Sequence, residues 1–492
     1  MRLYGRRKIY TDKTEVTEQN IVEVLSDALR YHRANVDEIR YLRKYVKGNQ
    51  PILERTKKVR KDVQNNVVMN LAQECLDFKL GYVWGEPIGI VRRSGSDANV
   101  GVDEFNAMLD EQGKNDNDQG LAKDLCVTGI AYRAILPNPD DGDESPFMMA
   151  KLDPETTFCV YSNDVFSKKL LGVSYCIHDD GTVTYSAYTN TTRYELCTDV
   201  SLSGVRLVDV SPNGMGVIPI VEYNAPDNSA IFERAIPLMD AINVLTSNRL
   251  DDIEQFVASI LWIHNADMSD DDLKRLDELL AVRTKSSGDG QQATLKYLNT
   301  TLDQSTVQDL QKSLEEHVYE LCGVPGRSQS SGGSTGEAAS LGEAGWKKIE
   351  FQAKRIESAW KKGERGMLKV ILSIFDKSSS IPAEVKALRI QDFEIKFVRS
   401  KTNNLLTKTQ GMMNMLNAGI HPRIAIKESD LFSDPEQVYA DSKPYIDMAL
   451  ERLNGKNAGI MEKQTGDVSN QPKGDSSMNA AAQAMSTIQK RD

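Results

Sequence analysis

The residues able to do chemistry are few and scattered. Six cysteines stand at 75, 126, 159, 176, 197 and 322 with no CxxC pair, and the five histidines form no HExxH-type pair. Zinc ribbons and disulfide frameworks need closely spaced ligands or an ordered cysteine pattern, so free thiols and no metal site are expected. Phosphate-loop chemistry needs GxxxxGK[ST]; Gly332, Gly333 and Gly336 lie close together without the Lys-Ser/Thr that must follow, and the GKN at Gly113–Asn115 lacks the upstream glycine. There is no GxSxG elbow and no carboxylate-rich metal motif. The expectation is a chain with no catalytic residue and no cofactor, which is not an enzyme.

Two groupings suit binding chemistry instead. Asp240, Asp251, Asp252 and Glu254 outnumber Arg249 along one helical stretch. Such a run is either a solvated helix face or a surface that repels a polyanion. The stretch GVPGRSQSSGGSTGEAASLG, 323–342, carries one base, Arg327, beside Ser328, Gln329, Ser330 and Ser331. Glycine and serine make a pliant loop, and an arginine on it can touch phosphate.

The chain that must position these groups has 492 residues, enough for two or three domains. Hydrophobic residues make up 40% and charged residues 27%, a globular composition. The longest apolar run, around Phe256 to Ile263, falls far short of the ~20 residues a bilayer span needs. The basic start MRLYGRRKIY has no apolar run after it and does not read as a signal peptide. The net charge of −11 excludes an ordinary phosphate clamp, which is basic.

Hydrophobic spacing predicts helices over 17–47 and from Asn66 to Tyr82, the latter stopped by Gly85 and Pro87. From about Val127 to Asn224, short β-branched and aromatic runs separated by Asp/Gly/Asn/Pro turns predict an antiparallel β region. Helices are expected again over 232–260 and 305–322. After the Ser/Gly loop comes the most regular helix. Ser340 and Glu343 stand at capping-box spacing, and Trp346, Ile349, Ala353, Ile356, Trp360 and Met367 follow in steps of three and four, with Gly363 in the one gap. Glu343, Glu350 and Glu357 each have a lysine four residues on; Glu364 does not. Between 343 and 369, eight Lys/Arg face four Glu, and Lys347, Lys348, Lys354 and Arg355 form basic pairs. The stripe reads as buried packing rather than as a nucleic-acid surface. A β-like run from Ala387 to Val398, helices from about Asn404 to Leu453, and a tail low in apolar residues complete the chain.

Five segments in this order resemble a known family: YVKGNQPIL (45–53), NNVVMNLAQECLDFKLGYVWGEPI (65–88), ERAIPLMDAINVLTSNRLDDIEQF (233–256), LKYLNTTLDQSTVQDLQKSLEEHVYELCGVPG (295–326) and FVRSKTNNLLTKTQGMMNMLNAGIHPRIAI (397–426), followed by FSDPEQ (432–437). Together they resemble the portal proteins of tailed phages, of the siphophage type that infects Gram-positive hosts. The Ser/Gly loop after GVPG is shorter than that pattern leads one to expect.

The resemblance implies an α+β portal fold with long stem helices, a β-rich wing, a small α/β clip and a helical crown. On this chain the wing would be 1–230 with 343–400, the stem helices 231–260 and 303–322, and the clip 261–302. The tunnel loop would be 323–342, the crown 401–455, and 456–492 a mostly disordered tail. The implied role is a homo-oligomeric ring of about twelve subunits. It would sit at one capsid vertex of the virion, assembled in the host cytoplasm, and double-stranded DNA would be packaged and ejected through it. The large terminase subunit (an ATPase), head-tail connector, scaffold and major capsid proteins would be its partners, with no membrane. The DNA-facing residues would be Arg327, Ser328, Gln329, Ser330 and Ser331 on the loop and Asp240, Asp251, Asp252 and Glu254 in the stem. Lys347, Lys348, Lys354 and Arg355 are candidates for the channel mouth. The competing reading is a capsid-associated structural scaffold that never touches DNA.

Overall fold

The computed structural model describes residues 3, 5–57, 63–93, 99–139, 145–198, 204–257, 260–264, 266–267, 285–286, 294–298, 304–326, 336–378, 381–397, 405–429, 431–432, 435 and 437–448. In chain order the helices are α1 (Ile21–Val46), α2 (Leu71–Trp84), α3 (Asn99–Glu111), α4 (Lys114–Thr128), α5 (Ile236–Val257), α6 (Gln304–Cys322), α7 (Gly336–Lys377), α8 (Ala383–Lys386), α9 (Leu405–Asn417) and α10 (Pro422–Ser429). The strands are β1 (Ile9–Thr11), β2 (Gly89–Arg92), β3 (Ile130–Pro137), β4 (Phe147–Leu152), β5 (Thr157–Ser162), β6 (Lys169–Ile177), β7 (Val183–Tyr188), β8 (Thr192–Thr198), β9 (Val205–Pro212), β10 (Ile220–Asn224), β11 (Ile260–His264), β12 (Ala266–Asp267), β13 (Lys285–Ser286), β14 (Thr294–Leu298) and β15 (Phe393–Lys396). The fold class is α+β, as expected. The chain divides into two compact units.

The first unit gathers residues 37–77 and 230–352 with the first four residues. Its centre is a polar seam. The carboxamide of Gln50 donates to the carbonyl of Tyr45 (3.2 Å) and to Asn70 Oδ1 (3.1 Å), and accepts from Asn243 Nδ2 at 2.5 Å. Tyr45 stacks on Phe232 with ring centroids 6.2 Å apart. The expected helix from Asn66 starts later, at Leu71, because residues 65–70 are extended. The N–H groups of Asn65, Val67 and Met69 are taken by side chains of α5 and so are not available to a helical ladder. The helix expected from Phe232 opens with a short 3₁₀ turn, Glu233–Ala235, before α5 proper. The most regular helix begins at Gly336, one turn ahead of the Ser340 capping box. Glu337, Ala338 and Ala339 are strong helix formers and carry it back.

The second unit holds residues 5–36, 78–229 and 353–492. A six-stranded sheet runs β1-β5-β6-β7-β8-β9, antiparallel except that β1 lies parallel to β5. Ile21, Val24, Leu25, Ala28 and Leu29 of α1, at helical spacing, fill one core with Phe158, Val160, Leu171 and Val173 of the sheet. His32 closes that core. Its Nε2 meets the carbonyl of Glu155 at 3.1 Å, and burial pulls its pKa down to about 4.

A second sheet, β10-β3-β4, carries the other core. Gly129 ends α4 in a left-handed turn (φ 83) that no other residue fits, since a Cβ there would stand 2.3 Å from the Asn228 carbonyl oxygen. The β region therefore begins at Ile130 rather than Val127. Here the stripe of α7 is buried as expected: Ala353, Trp360 and Met367 are fully covered, and Trp360 meets Trp84 at 5.2 Å and Tyr223 at 4.9 Å. Gly363 fills the gap in the stripe because the Tyr223 ring occupies the space a side chain would need; an added Cβ would lie 2.3–2.8 Å from three ring atoms. Glu364, the glutamate without a lysine four residues on, is buried. It pairs with Lys114 (3.2 Å) and Arg133 (3.4 Å) and accepts from the Tyr223 hydroxyl (2.8 Å), while Asp118 takes the other contacts of Lys114 and Arg133. Two carboxylates thus balance two cations, the condition under which buried charge is tolerated. Strand β15 pairs with β2 across some 300 residues of sequence.

Candidate channel helix and the loop beyond it

The acidic stretch expected to face a channel lies on α5 in the first unit, beside α6. Arg249 of α5 donates to Gln311 of α6 at 2.7 Å, and Gln311 donates to Glu315 at 2.9 Å. The four carboxylates do not share one fate.

Asp251 is 1% exposed. It accepts from the Asn65 backbone N–H at 2.6 Å, from Asn65 Nδ2 at 3.0 Å, and pairs with Lys57 at 2.5 Å and Arg55 at 3.6 Å. Burial pushes its pKa up, but the hydrogen bonds from Lys57 and Asn65 outweigh that and hold it below the usual carboxylate range. The expectation that Asp251 faces an open lumen is therefore corrected: within the subunit its charge is spent holding Arg55, Lys57 and Asn65 against α5. Asp240 is half-buried, and the Tyr45 hydroxyl donates to it at 2.9 Å. Burial is the larger influence and raises its pKa. Asp252 is half-exposed, and Glu254 is exposed, accepting from Asn65 Nδ2 at 2.8 Å.

The sequence reading missed why this face of α5 is polar. Asn243, Ser247 and Asp251 stand four residues apart on one helix face. They accept the N–H groups of Met69 (2.7 Å), Val67 (3.0 Å) and Asn65 (2.6 Å), one per alternate residue of the extended segment. Helical spacing of four meets strand spacing of two, because four residues of helix rise about 6 Å and two of strand about 6.6 Å. The i, i+4, i+8 polar triplet opposite the asparagine-rich NNVVMN was the available signal.

Beyond α6 the chain passes Gly323, with φ 63, to Gly326. Arg327, Ser328, Gln329, Ser330 and Ser331 lie outside the described residues. Of the basic pairs on α7, all four side chains are exposed, and Lys348 bonds Glu320 at 2.5 Å. That contact holds the Glu320 carboxyl below its usual range.

Against known families, the model described as "Phage portal protein, SPP1 Gp6-like" matches residues 27–451. The chain belongs to that family. No curated protein matches it by sequence. The tailed-phage portal family is a structural family rather than a catalytic one. Among the described residues no group of three or more His, Cys, Asp or Glu could hold a metal, and no helix is long and apolar enough to cross a membrane. The portal chain also exposes apolar side chains on the paired helices: Val244, Leu250 and Ile253 on α5, Leu310 and Leu321 on α6. Leu310 and Leu321, eleven residues apart, share one face of α6.

Proposed function

We propose that copies of this chain close into a ring of about twelve subunits. The ring would stand at one vertex of the capsid and form the channel for packaging and ejecting double-stranded DNA. The family match over 27–451 carries this reading. In it α5 and α6 are the stem, 261–302 is the clip on which the large terminase subunit and the head-tail connector dock, and α9, α10 and the helical stretch to 448 belong to the crown.

The apolar side chains exposed on α5 and α6 support the stem assignment, since a ring covers surfaces that a lone subunit leaves wet. The net charge of −11 per chain, multiplied around the ring, disfavours adhesion of duplex to the channel. Asp252, Glu254 and the half-buried Asp240 remain as lumen carboxylates. Arg327, with the serines and Gln329 beside it, is the one loop position proposed to touch phosphate, each contact being weak in salt and quickly broken. Lys347, Lys348, Lys354 and Arg355 have their glutamate neighbours to offset them and act in ring contacts.

The test is packaging in vitro. Proheads assembled with Arg327→Ala should still form but retain less DNA. Unchanged retention would make the loop a spacer, and normal packaging by proheads that lack this chain altogether would overturn the channel reading.

A further inference from the structure

We propose that a lysine-rimmed, apolar-floored pocket in the second unit receives the acidic segment 428–436 of a neighbouring copy of the chain. This rests on the ring reading, because a closed ring sets one surface of each subunit against a different surface of the next.

The pocket has a volume of about 710 Å³ and is lined by β10, the β5–β6 hairpin and α7. Its charged rim is Lys8, Lys168, Lys169, Lys362 and Lys369. One carboxylate, Glu222, faces these five ammoniums, and it already accepts hydrogen bonds from Tyr161 and from Tyr132 (3.2 Å). Lys169 is tied to the Ile220 carbonyl (3.0 Å) and Lys8 lies over the Tyr161 ring (5.3 Å), so Lys168, Lys362 and Lys369 are the cations with most reach. The floor is different in kind: Val217, Ile218, Val221 and Val370, closed by α7 at Gly363 and Gly366, where Tyr223 and Val221 pack against the helix. Asn224 also lines the pocket, and among the described residues its buried carboxamide oxygen has no hydrogen-bond partner.

The rim carries an apolar tip, Val165 (97% exposed) and Phe166 (90% exposed). It is built rather than slack. Asp164 Oδ1 accepts the N–H groups of both Phe166 and Ser167 at 2.8 Å, and Ser167 is held at φ 45. Two adjacent exposed apolar residues fixed in this way suit a protein contact.

These features select among polyanions. A phosphodiester backbone brings negative charge but no apolar group for the floor and no N–H for the Asn224 oxygen. A peptide brings all three when an apolar side chain is flanked by carboxylates. The chain contains such a segment. Between 428 and 436 stand Glu428, Asp430, Asp434 and Glu436 with no basic residue, around Leu431 and Phe432. Phe432 is 40% exposed.

The experiment titrates a labelled synthetic peptide of residues 426–438 onto the monomeric fraction of the full-length chain, in which no neighbour's segment occupies the pocket, by fluorescence anisotropy, with a short DNA duplex as a parallel probe. Binding of the peptide is expected, weakening as salt rises. Affinity should fall at least tenfold for the exposed-residue variant Lys362→Glu/Lys369→Glu, and likewise for the peptide carrying Phe432→Ala. No peptide binding, binding indifferent to both changes, or duplex binding that alone is lost in the variant would overturn the proposal. Electron micrographs of the same samples separate it from the portal reading. Rings with an axial hole, formed by a chain whose monomers bind no peptide, remove the pocket's role and leave the ring. Specific peptide binding without rings under any condition keeps the pocket and removes the ring.

Discussion

Substituting Gly363 by alanine pits two effects of opposite sign. Alanine in place of a mid-helix glycine favours the helix by about 1 kcal/mol. The new methyl, however, would lie 2.3, 2.5 and 2.8 Å from three atoms of the Tyr223 ring. That ring cannot slide away cheaply. Its hydroxyl is held by Glu364 at 2.8 Å and Arg133 at 3.2 Å, the Trp360 ring lies 4.9 Å away, and its residue is fully buried on β10 where that strand pairs with β3. Overpacking of this kind costs about 1–3 kcal/mol, and three contacts below van der Waals distance put it at the upper end. The net expectation is a loss of about 2 kcal/mol. Urea denaturation followed by tryptophan fluorescence reads the right region, because Trp84 and Trp360 are in contact there. Gly81→Ala is the control: a Cβ at Gly81 meets nothing within 4 Å, so that change should be neutral to stabilising. A Gly363→Ala chain as stable as the parent would refute the reasoning, since the Tyr223 ring would then be free to move.

Glu364→Gln leaves Arg133 and Lys114 buried against one carboxylate, Asp118, and should cost about 3–5 kcal/mol by the same denaturation assay. His32 stays neutral in the fold to about pH 4, whereas the unfolded chain takes up its proton near pH 6.5. Stability from this residue is therefore complete above pH 6.5 and falls between 6.5 and 4, by about 3 kcal/mol, a slope that His32→Asn should remove from a melting series across that range. For Asp251 the folded pKa is below the unfolded one, so its contribution is present above the unfolded value and lost as pH falls through the folded value. Asp251→Asn should lower stability at pH 7 and leave it unchanged at strongly acid pH; a uniform loss across pH would mean that shape and not charge holds Asn65.

What the sequence disclosed followed the strength of the periodic signal. The α7 stripe was legible in the sequence, but the Tyr223 ring that requires Gly363 and the buried cations that pair with Glu364 come from elsewhere in the chain and were not. The β region was legible as alternating runs between turns. Residues 66–70 were misread as helix because their partners, on α5, lie about 180 residues away and no local pattern records them. Asp251 looked like part of a solvated acidic face for the same reason: its cations, Lys57 and Arg55, come from a distant segment. Helix α4 is hard to read from sequence because it is covered over most of its length, with Asp118, Leu121, Ala122, Leu125 and Cys126 all buried, so the amphipathic contrast that reveals a helix is weak. The lysine pocket could not be read at all, since its rim is assembled from β5–β6, β10 and α7.

The ring itself is the most direct test. Purified full-length chain should be imaged by negative-stain electron microscopy under conditions that favour assembly. A closed ring with an axial hole wide enough for B-form DNA, roughly 20 Å, is the predicted result. A 54.8 kDa monomer under every condition, or rings closed at the axis, would contradict the account.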